Sequence, residues 1–163
     1  MDTAGNRTLR EILQYRASST PDDLFVRFDP IESETRDFTW SAFDKQINRT
    51  ANALAALGIG AGDKINLHLS NCMEFLFLWF AAAKLRAVIM PTNVAASADE
   101  LEYLVEHSES RLIVTQSDHL ETASEVARRC ARVETVILCG GERGNSPSFD
   151  ALLSGQPETA PDA

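Results

Sequence analysis

The 163-residue sequence lacks the features of a disulfide-rich, membrane-spanning or nucleic-acid-binding protein. Its three cysteines are far apart and include no C-x-x-C pair, so neither a disulfide framework nor a zinc or redox motif is indicated. The longest apolar run, Phe75–Ala83, is much shorter than the ~20 residues that a membrane-spanning helix needs. Only 15 Lys and Arg stand against 24 Asp and Glu, and the net charge of −9 opposes binding to a nucleic-acid backbone. We therefore expect reduced thiols, no membrane span and no nucleic-acid partner.

The composition and the N-terminus indicate one globular domain that stays inside the cell. Hydrophobic residues make up 44% and charged residues 24% of the chain, as in globular proteins, and its length is enough to bury a core without disulfides. The segment Met1–Arg10 lacks the basic start and the apolar stretch of a secretory signal. The sequence predicts a cytoplasmic protein.

The first part of the chain predicts a helix followed by a short β-hairpin. Thr8 and Glu11 have the spacing of a capping box, which satisfies free backbone donors where a helix begins. Apolar and polar residues alternate from Leu24 to Asp29, and after a polar turn the run Asp37–Trp40 can pair back with them. The two runs therefore predict a half-buried antiparallel ribbon.

A second helix is predicted over residues 42–57, with Ser41 as its N-cap. An apolar stripe at helical spacing runs through it, and Gly58 offers the left-handed residue that ends it. The glycine-rich run Gly58–Gly62 resembles a phosphate loop, yet it follows a helix and precedes a strand, the reverse of the dinucleotide fingerprint. We interpret that run as a helix end and a tight turn.

From residue 64 onward the pattern alternates strand and helix. The predicted strands are Lys64–Leu69, Ala87–Met90, Leu112–Thr115 and Val133–Cys139. The predicted helices between them run from Asn71 to about Arg86, from the capping box of Ser97 and Glu100, and from about Leu120 to Ala131. Strands joined by helical crossovers form a parallel sheet with right-handed connections. The sequence therefore predicts an α/β fold: a parallel sheet with helices on both faces, preceded by a helix and a short β-hairpin.

The helix that begins near Asn71 is expected to be the centre of the fold. The residues from Phe75 to Phe80 are all apolar and cover every side of the helix, which is typical of a helix buried between layers. Glu74 in its first turn and Lys84 in its last suit the two ends of the helix dipole.

The end of the chain has a different composition from the rest. After Gly140-Gly141 it is polar, apart from Phe149, Leu152 and Leu153, which can form one short helical turn. Residues 155–163 contain two prolines and little to bury. We expect residues 1–154 to form the domain and residues 155–163 to be a flexible tail or linker.

Few residues indicate chemistry. His68, His107 and His119 lack metal-ligand spacing and no serine lies in a nucleophile elbow, so no metal ligand and no catalytic residue are predicted. His68 lies on the central strand, where a hydrogen-bonded core histidine is favoured over a catalytic base, and the other two histidines are expected to be solvated. Gly140-Gly141 and Gly144 follow a strand and are interpreted as a loop.

Thr92 and Asn93 are the candidate ligand-adjacent residues. They follow the second predicted strand of the parallel sheet, and open α/β sheets bind ligands at the carboxyl ends of their strands. Both are compact hydrogen-bonding groups, although a plain turn would also account for them.

Several segments carry a resemblance to a known family. They are Thr39-Trp40-Ser41, Gln46–Leu54, Leu57-Gly58-Ile59, Gly62-Asp63-Lys64, Asn71–Phe75, Trp79-Phe80-Ala81, Ala83-Lys84-Leu85, Met90–Asn93 and Ser110–Thr115. In order and spacing they resemble the N-terminal part of the adenylate-forming acyl-CoA synthetases, the AMP-dependent synthetase and ligase superfamily, over most of residues 9–155. Among subfamilies the chain is most similar to the crotonobetaine/carnitine-CoA ligases.

The resemblance implies a two-step ligase of which this chain is the N-terminal portion of the large domain. In the parent enzyme a small carboxylic acid would react with ATP and Mg²⁺ to form an acyl-adenylate, which coenzyme A captures as a thioester. The family's phosphate-binding loop, rich in Ser, Thr and Gly, and its C-terminal domain with a catalytic lysine are expected beyond Ala163. We therefore expect no cofactor in this chain and no activity of the chain alone.

The sequence departs from the family pattern at several positions. Arg86 stands where the family usually has glycine, so a positive φ is expected to strain it. In acetyl-CoA synthetases an arginine near the helix after the third strand helps to hold the CoA phosphate, and here that region reads Ser117-Asp118-His119. His119 therefore joins Thr92 and Asn93 as a ligand-adjacent candidate.

An alternative interpretation is a stand-alone, non-catalytic α/β binding or interaction module derived from the same fold. The apolar helix Phe75–Ala83 would then lack part of its parental cover, and the chain would self-associate through exposed apolar surface. A nucleotide-binding module of flavodoxin or Rossmann type is a third possibility that rests on topology alone.

Overall fold

The computed structural model describes residues 6–30, 34–141 and 146–161 of the chain. Its helices are α1 (Leu9–Ser19), α2 (Trp40–Ala56), α3 (Met73–Leu85), α4 (Ala98–Ser108), α5 (Leu120–Arg129) and α6 (Phe149–Leu153). Its strands are β1 (Leu24–Phe28), β2 (Arg36–Thr39), β3 (Lys64–His68), β4 (Val88–Pro91), β5 (Leu112–Gln116) and β6 (Thr135–Cys139). A single 3₁₀ turn, Ser117–His119, joins β5 to α5.

The predicted fold class is confirmed. Strands β3 to β6 form one parallel sheet in the order β4-β3-β5-β6, and β1 and β2 form a separate antiparallel hairpin. One face of the parallel sheet packs against α2, α3 and the hairpin, and the other packs against α4 and α5. The two faces therefore have separate apolar clusters with the sheet between them.

The start of α2 differs from the prediction. Thr39, not Ser41, is the N-cap, because its Oγ1 accepts a hydrogen bond from the backbone N–H of Ala42 at 3.2 Å. The helix therefore begins at Trp40, which was predicted to end the second hairpin strand. Trp40 instead stacks on Phe25 of β1 with the ring centroids 3.7 Å apart, so the hairpin is held against the first turn of α2.

The prediction that α3 is buried on every side is wrong. Phe77, Leu78 and Ala81 are buried against α2 and the sheet, but Trp79 is 43% exposed. The exposed side lies next to β4, which is an edge strand of the parallel sheet, and Val88 of that strand is 42% exposed. Because no described element covers this edge, an apolar surface formed by Trp79 and Val88 faces solvent.

Lys84 lies in the last turn of α3, as predicted, and is buried between that helix and α2. Its side chain is 1% exposed, and its Nζ donates to Asp44 Oδ1 at 2.6 Å and to Asn48 Oδ1 at 2.5 Å, both on α2. A buried ammonium without partners would be very costly, so the two acceptors are what allow Lys84 to lie between the helices. The ion pair therefore ties α3 to α2.

Arg86 has the predicted positive φ, at +59°. It ends α3 in the left-handed conformation, and the next residue, Ala87, donates from its backbone N–H to Ala82 O at 2.9 Å. Gly58 closes α2 with a φ of +79°, as predicted. Two helix ends thus use the same backbone conformation, with a glycine at one and a strained arginine at the other.

The last described residues, 155–161, contain no helix or strand but contact α2. Asn48 and Asn52 donate side-chain amides to main-chain carbonyls of this segment, and Arg49 pairs with the carboxylate of Glu158. Whether the segment is a flexible tail or linker stays a prediction.

The remaining sequence predictions concern thiols and membrane spans. All three cysteines are free, and Cys130 and Cys139 are buried, as expected for core thiols. Within the described ranges no helix is both long enough and apolar enough to cross a membrane. Gly144 lies outside the described residues.

Candidate functional site

Polar side chains collect at the carboxyl ends of the central strands. The chain runs from β3 through α3 to β4 on one side, and then returns through α4 to β5 on the other side of β3. The helices that follow β3 and β5, α3 and α5, therefore lie on opposite faces of the sheet. The carboxyl ends of these two neighbouring strands are the topological switch point of the sheet. In open α/β sheets this is where ligands bind, so the residues here are the candidate site.

The register places His68 and Thr115 side by side. They are partners across the parallel β3–β5 ladder, as are Asn66 and Ile113 two residues earlier. Since residues two apart share a face, all four side chains point to the same side as the apolar cluster of α4 and α5, which contains Ile113. His68, Thr115 and Asn66 are all fully buried. The sheet thus carries a polar stripe under α4 and α5.

A chain of hydrogen bonds fixes the protonation of the His68 ring. Asn66 Nδ2 donates to Met90 O at 3.3 Å, which leaves Asn66 Oδ1 as an acceptor, and Thr92 Oγ1 donates to that oxygen at 3.3 Å. His68 Nδ1 lies 3.2 Å from Thr92 Oγ1. The Thr92 hydroxyl has one hydrogen, and Asn66 Oδ1 and Leu67 O, at 3.3 and 3.5 Å, can only accept it. We assign that hydrogen to Asn66, which makes His68 Nδ1 the donor in this contact and leaves Nε2 as a free acceptor.

Two atoms of the stripe lack hydrogen-bond partners. Among the buried side-chain atoms of the described residues, only His68 Nε2 and Thr115 Oγ1 are unsatisfied. Buried polar groups are almost always paired, so a pair of unsatisfied groups on neighbouring strands is a specific feature. Together they offer one acceptor and one hydroxyl to a single small group that donates a hydrogen bond.

His119 closes the stripe from the 3₁₀ turn. Its ring meets the His68 ring edge to face, with the centroids 5.4 Å apart. Burial, with a smaller contribution from a charge on His119, lowers the pKa of His68 to about 4. His68 is therefore a neutral imidazole at pH 7 that can accept a hydrogen bond.

The rim of the site is held by contacts between loops. Gln116 Oε1 accepts from the backbone N–H of Ser70 at 3.0 Å, which links the ends of β5 and β3. Ser117 Oγ donates to Gly140 O at 3.1 Å, which links the ends of β5 and β6. These bonds connect three successive strand ends into one rigid edge.

The residues at this edge do not form a metal or phosphate site by themselves. No group of three or more His, Cys, Asp or Glu side chains could hold a metal ion in the described part of the chain. Arg111 is far from this site, because it precedes β5 at the amino ends of the strands. Its side chain donates hydrogen bonds to Asp63 and Glu134 there. The buried cluster thus has no charge with which to neutralise a triphosphate.

The structure brings together two of the three ligand-adjacent candidates. Thr92 bonds to His68 and His119 packs on it, so His68 is the residue that joins them. His119 is half-buried rather than solvated, which corrects the prediction for it. Asn93 does not reach the cluster, because its Oδ1 accepts from the backbone N–H of Ala95 at 2.9 Å and so completes a turn. Ligand contact by any of the three stays a prediction.

The prediction of a hydrogen-bonded core histidine at His68 is confirmed, whereas sequence reasoning missed Thr115 and Asn66. A signal was available, because His68 and Thr115 end or nearly end two predicted parallel strands. Polar residues at successive strand ends meet at one edge whatever the exact register. The sequence could not show that both side chains lie on the same face of the sheet, because that depends on the strand register.

Comparison with known proteins agrees with the fold. The family model described as "AMP-binding enzyme" matches residues 13–161. The crotonobetaine/carnitine-CoA ligase of Salmonella typhimurium is 34% identical over 126 residues, which are 77% of this chain and 24% of that protein. The enzyme of the same name from Citrobacter koseri is 31% identical over 163 residues, with 98% of this chain and 32% of that protein covered. The chain thus spans a quarter to a third of the curated relatives it matches.

Solved structures show the same architecture. The anthranilate CoA ligase AuaEII, in complex with anthranoyl-AMP, superposes with a TM-score of 0.85 at 21% identity, over 98% of this chain and 30% of that one. The N-terminal domain of FACL13 from Mycobacterium tuberculosis superposes with a TM-score of 0.78 at 23% identity, over 96% of this chain and 38% of that one. At these identities the likeness establishes the fold.

Proposed function

This chain belongs to the AMP-binding enzyme family, and from that premise we propose that it is the N-terminal segment of an acyl-CoA ligase of the crotonobetaine/carnitine type. The observation that carries the proposal is the match of the family over residues 13–161 together with relatives of that name at 34% identity. In the parent enzyme a carboxylic acid, ATP and CoA would yield an acyl-CoA, AMP and diphosphate. The requirement for Mg²⁺ and a cytoplasmic location stay predictions.

The segment would supply scaffold and binding surface, with the reaction itself carried out by groups beyond it. Phosphoryl and adenylyl transfer need cations and oriented donors around the phosphates. The switch-point edge offers neutral groups instead, namely the His68 acceptor and the Thr92 and Thr115 hydroxyls. We therefore propose that this chain alone forms no adenylate, and that its edge forms part of the wall of the parent's substrate channel.

A chimera tests this proposal. Residues 13–161 replace the matching segment of the Citrobacter koseri ligase, and thioester formation from carnitine or crotonobetaine is measured with ATP, Mg²⁺ and CoA. We expect the chimera to be active and the isolated 163-residue chain to be inactive. Turnover by the isolated chain would contradict its role as a segment, and a folded but inactive chimera would contradict the assignment to this type of ligase.

A second candidate function is a stand-alone binding or interaction module with no reaction of its own. The observation in its favour is the exposed apolar surface of Trp79 and Val88, beside a cavity of about 270 Å³ that Ala83, Ile89 and Pro91 help to line. Contiguous exposed apolar surface marks interaction sites in soluble proteins.

Sedimentation of the isolated chain separates the two candidates. A module that uses this surface should associate with itself, and Trp79→Gln should shift it to the monomer. A wild-type chain that stays monomeric at all concentrations and binds no hydrophobic dye would argue against the module.

A further inference from the structure

The segment after α6 is held to α2 through its main chain. Asn48 Nδ2 donates to Glu158 O at 2.7 Å, and Asn52 Nδ2 donates to Pro157 O and Thr159 O at 3.0 and 2.9 Å. Three successive carbonyls are thus bound by two amides that lie four residues apart on one face of the helix. The backbone bends at Glu158 and Thr159, and carbonyls are the same in every residue, so these contacts hold a bent backbone without selecting its side chains.

One side chain of the segment sets its register on the helix. The carboxylate of Glu158 lies 2.6 Å from Arg49 and 3.7 Å from Lys45, and both cations are on α2. Exposed ion pairs of this kind add little binding energy. These ion pairs instead fix the register of the segment on α2, because they favour an acidic residue at this one position of the segment.

Lys84 determines the orientation of the Asn48 side-chain amide. The Lys84 ammonium can only donate, and it lies 2.5 Å from Asn48 Oδ1, so the oxygen of the amide must face it. The amide nitrogen then faces Asp44 Oδ2 at 3.1 Å and Glu158 O at 2.7 Å. A flipped amide would place N–H groups against the ammonium and an oxygen against a carbonyl.

We propose that Lys84 is a positioning residue that makes the Asn48–Asn52 face of α2 a docking surface for a bent, irregular segment with one acidic side chain, residues 156–161 being its occupant. The buried ammonium is needed because it keeps the Asn48 donor aimed at the segment. Among the described residues no lysine faces the Asn52 side-chain oxygen, so the contacts of Asn52 with Pro157 and Thr159 do not depend on Lys84.

The functional consequence rests on the proposed function. In the ligase that the resemblance implies, residues 156–161 would lead towards the phosphate-binding loop. The docking surface would then set the direction in which the chain approaches that loop, and α3 would take part in setting it through Lys84.

Glutamyl endopeptidase tests the inference on the whole chain without any ligase activity. It cleaves after glutamate, and the carbonyl of the Glu158–Thr159 bond is the one that Asn48 holds. We expect Lys84→Met to raise the rate of cleavage after Glu158 about tenfold, the factor for one hydrogen bond of ordinary strength. Cleavage after the exposed Glu34 is the internal reference. Lys64→Met, the same substitution at a partly buried, ion-paired lysine at the start of β3, should leave the ratio of the two rates unchanged.

Two further variants test the route through Asn48. Asn48→Ala should raise cleavage as much as Lys84→Met, and the double variant should raise it no more than either one. A folded Lys84→Met protein with the wild-type ratio would overturn the proposal, as would effects that multiply in the double variant.

Two other variants test the proposal in the case that Lys84→Met does not fold. If Lys84→Met does not fold because Asp44 is left unpaired, Lys84→Met with Asp44→Asn removes both charges. Asn48→Asp keeps an oxygen for Lys84 and replaces the amide donor with a carboxylate oxygen, which faces the Glu158 carbonyl and cannot donate to it. Wild-type resistance of the Glu158–Thr159 bond in Asn48→Asp would show that the segment is not held as proposed.

Discussion

Replacing His68 with glutamine should flatten the pH dependence of the free energy of unfolding between pH 7 and pH 5. Burial lowers the pKa of His68 from 6.5 to about 4 in the folded protein, and the nearby His119 acts in the same direction. In the unfolded chain the same ring binds a proton near pH 6.5. Between pH 6.5 and pH 4 the unfolded state therefore holds more protons than the folded state. The stability that neutral His68 contributes is complete above pH 6.5 and is lost as the pH falls towards 4.

The magnitude follows from these two pKa values. Protonation of His68 in the unfolded chain lowers the free energy of unfolding by about 2 kcal/mol from pH 7 to pH 5. Several carboxylates, among them Asp63 and Glu134, also have lowered pKa values in the fold, through hydrogen bonds that include those from Arg111. Their ordinary pKa values are 3.8 and 4.5, so their contribution is lost mainly below pH 5. Between pH 7 and pH 5 the contribution of His68 to the change in the free energy of unfolding is thus separated from that of these carboxylates.

Urea unfolding followed by tryptophan fluorescence measures this difference. The wild-type chain should lose about 2 kcal/mol more than His68→Gln between pH 7 and pH 5. The comparison uses each protein's own change with pH, so a general loss of stability in the variant does not affect it. His107→Gln is the matched control, because His107 stacks on Tyr103 away from the cluster. Equal pH dependence in His68→Gln and wild type would refute the assignment of a buried neutral imidazole.

Four other substitutions have predictable effects on stability in the same urea assay. Thr92→Val removes the acceptor of His68 Nδ1 and should cost about 1–3 kcal/mol, whereas no loss would contradict the hydrogen-bond chain through Asn66. Arg86→Gly relieves a φ of +59° and should raise stability by about 1 kcal/mol; a decrease would mean that the arginine side chain compensates for the strain. Ser97→Ala removes the N-cap of α4 and should cost about 1 kcal/mol, with helix content at 222 nm as a second measurement. Arg111→Lys keeps the charge but loses the paired contacts with Glu134, so a loss of about 1 kcal/mol is expected and an unchanged midpoint would show that charge alone suffices.

Most of the fold could be predicted because its signals are local. Two capping boxes, at Thr8 and Ser97, lie at the predicted helix starts, since a cap needs only residues three apart in sequence. The alternation of strands and helices from residue 64 determined a parallel sheet, because short crossovers permit few other topologies. The resemblance determined the family, and it also pointed to a positive φ at Arg86, where the family usually has glycine.

The tertiary structure decided what the polar residues do. The strand register put His68 beside Thr115, and burial under α4 and α5 made its ring neutral. Lys84 is 36 residues from Asn48 and 74 from Glu158 in sequence, so nothing local could predict that one connects to the other. Likewise, the exposed side of α3 could be identified only from the structure, which shows that the neighbouring strand β4 lies at the edge of the sheet. A buried donor or acceptor acquires its role from whichever distant group packs against it, and that choice is made by the whole fold rather than by the neighbouring sequence.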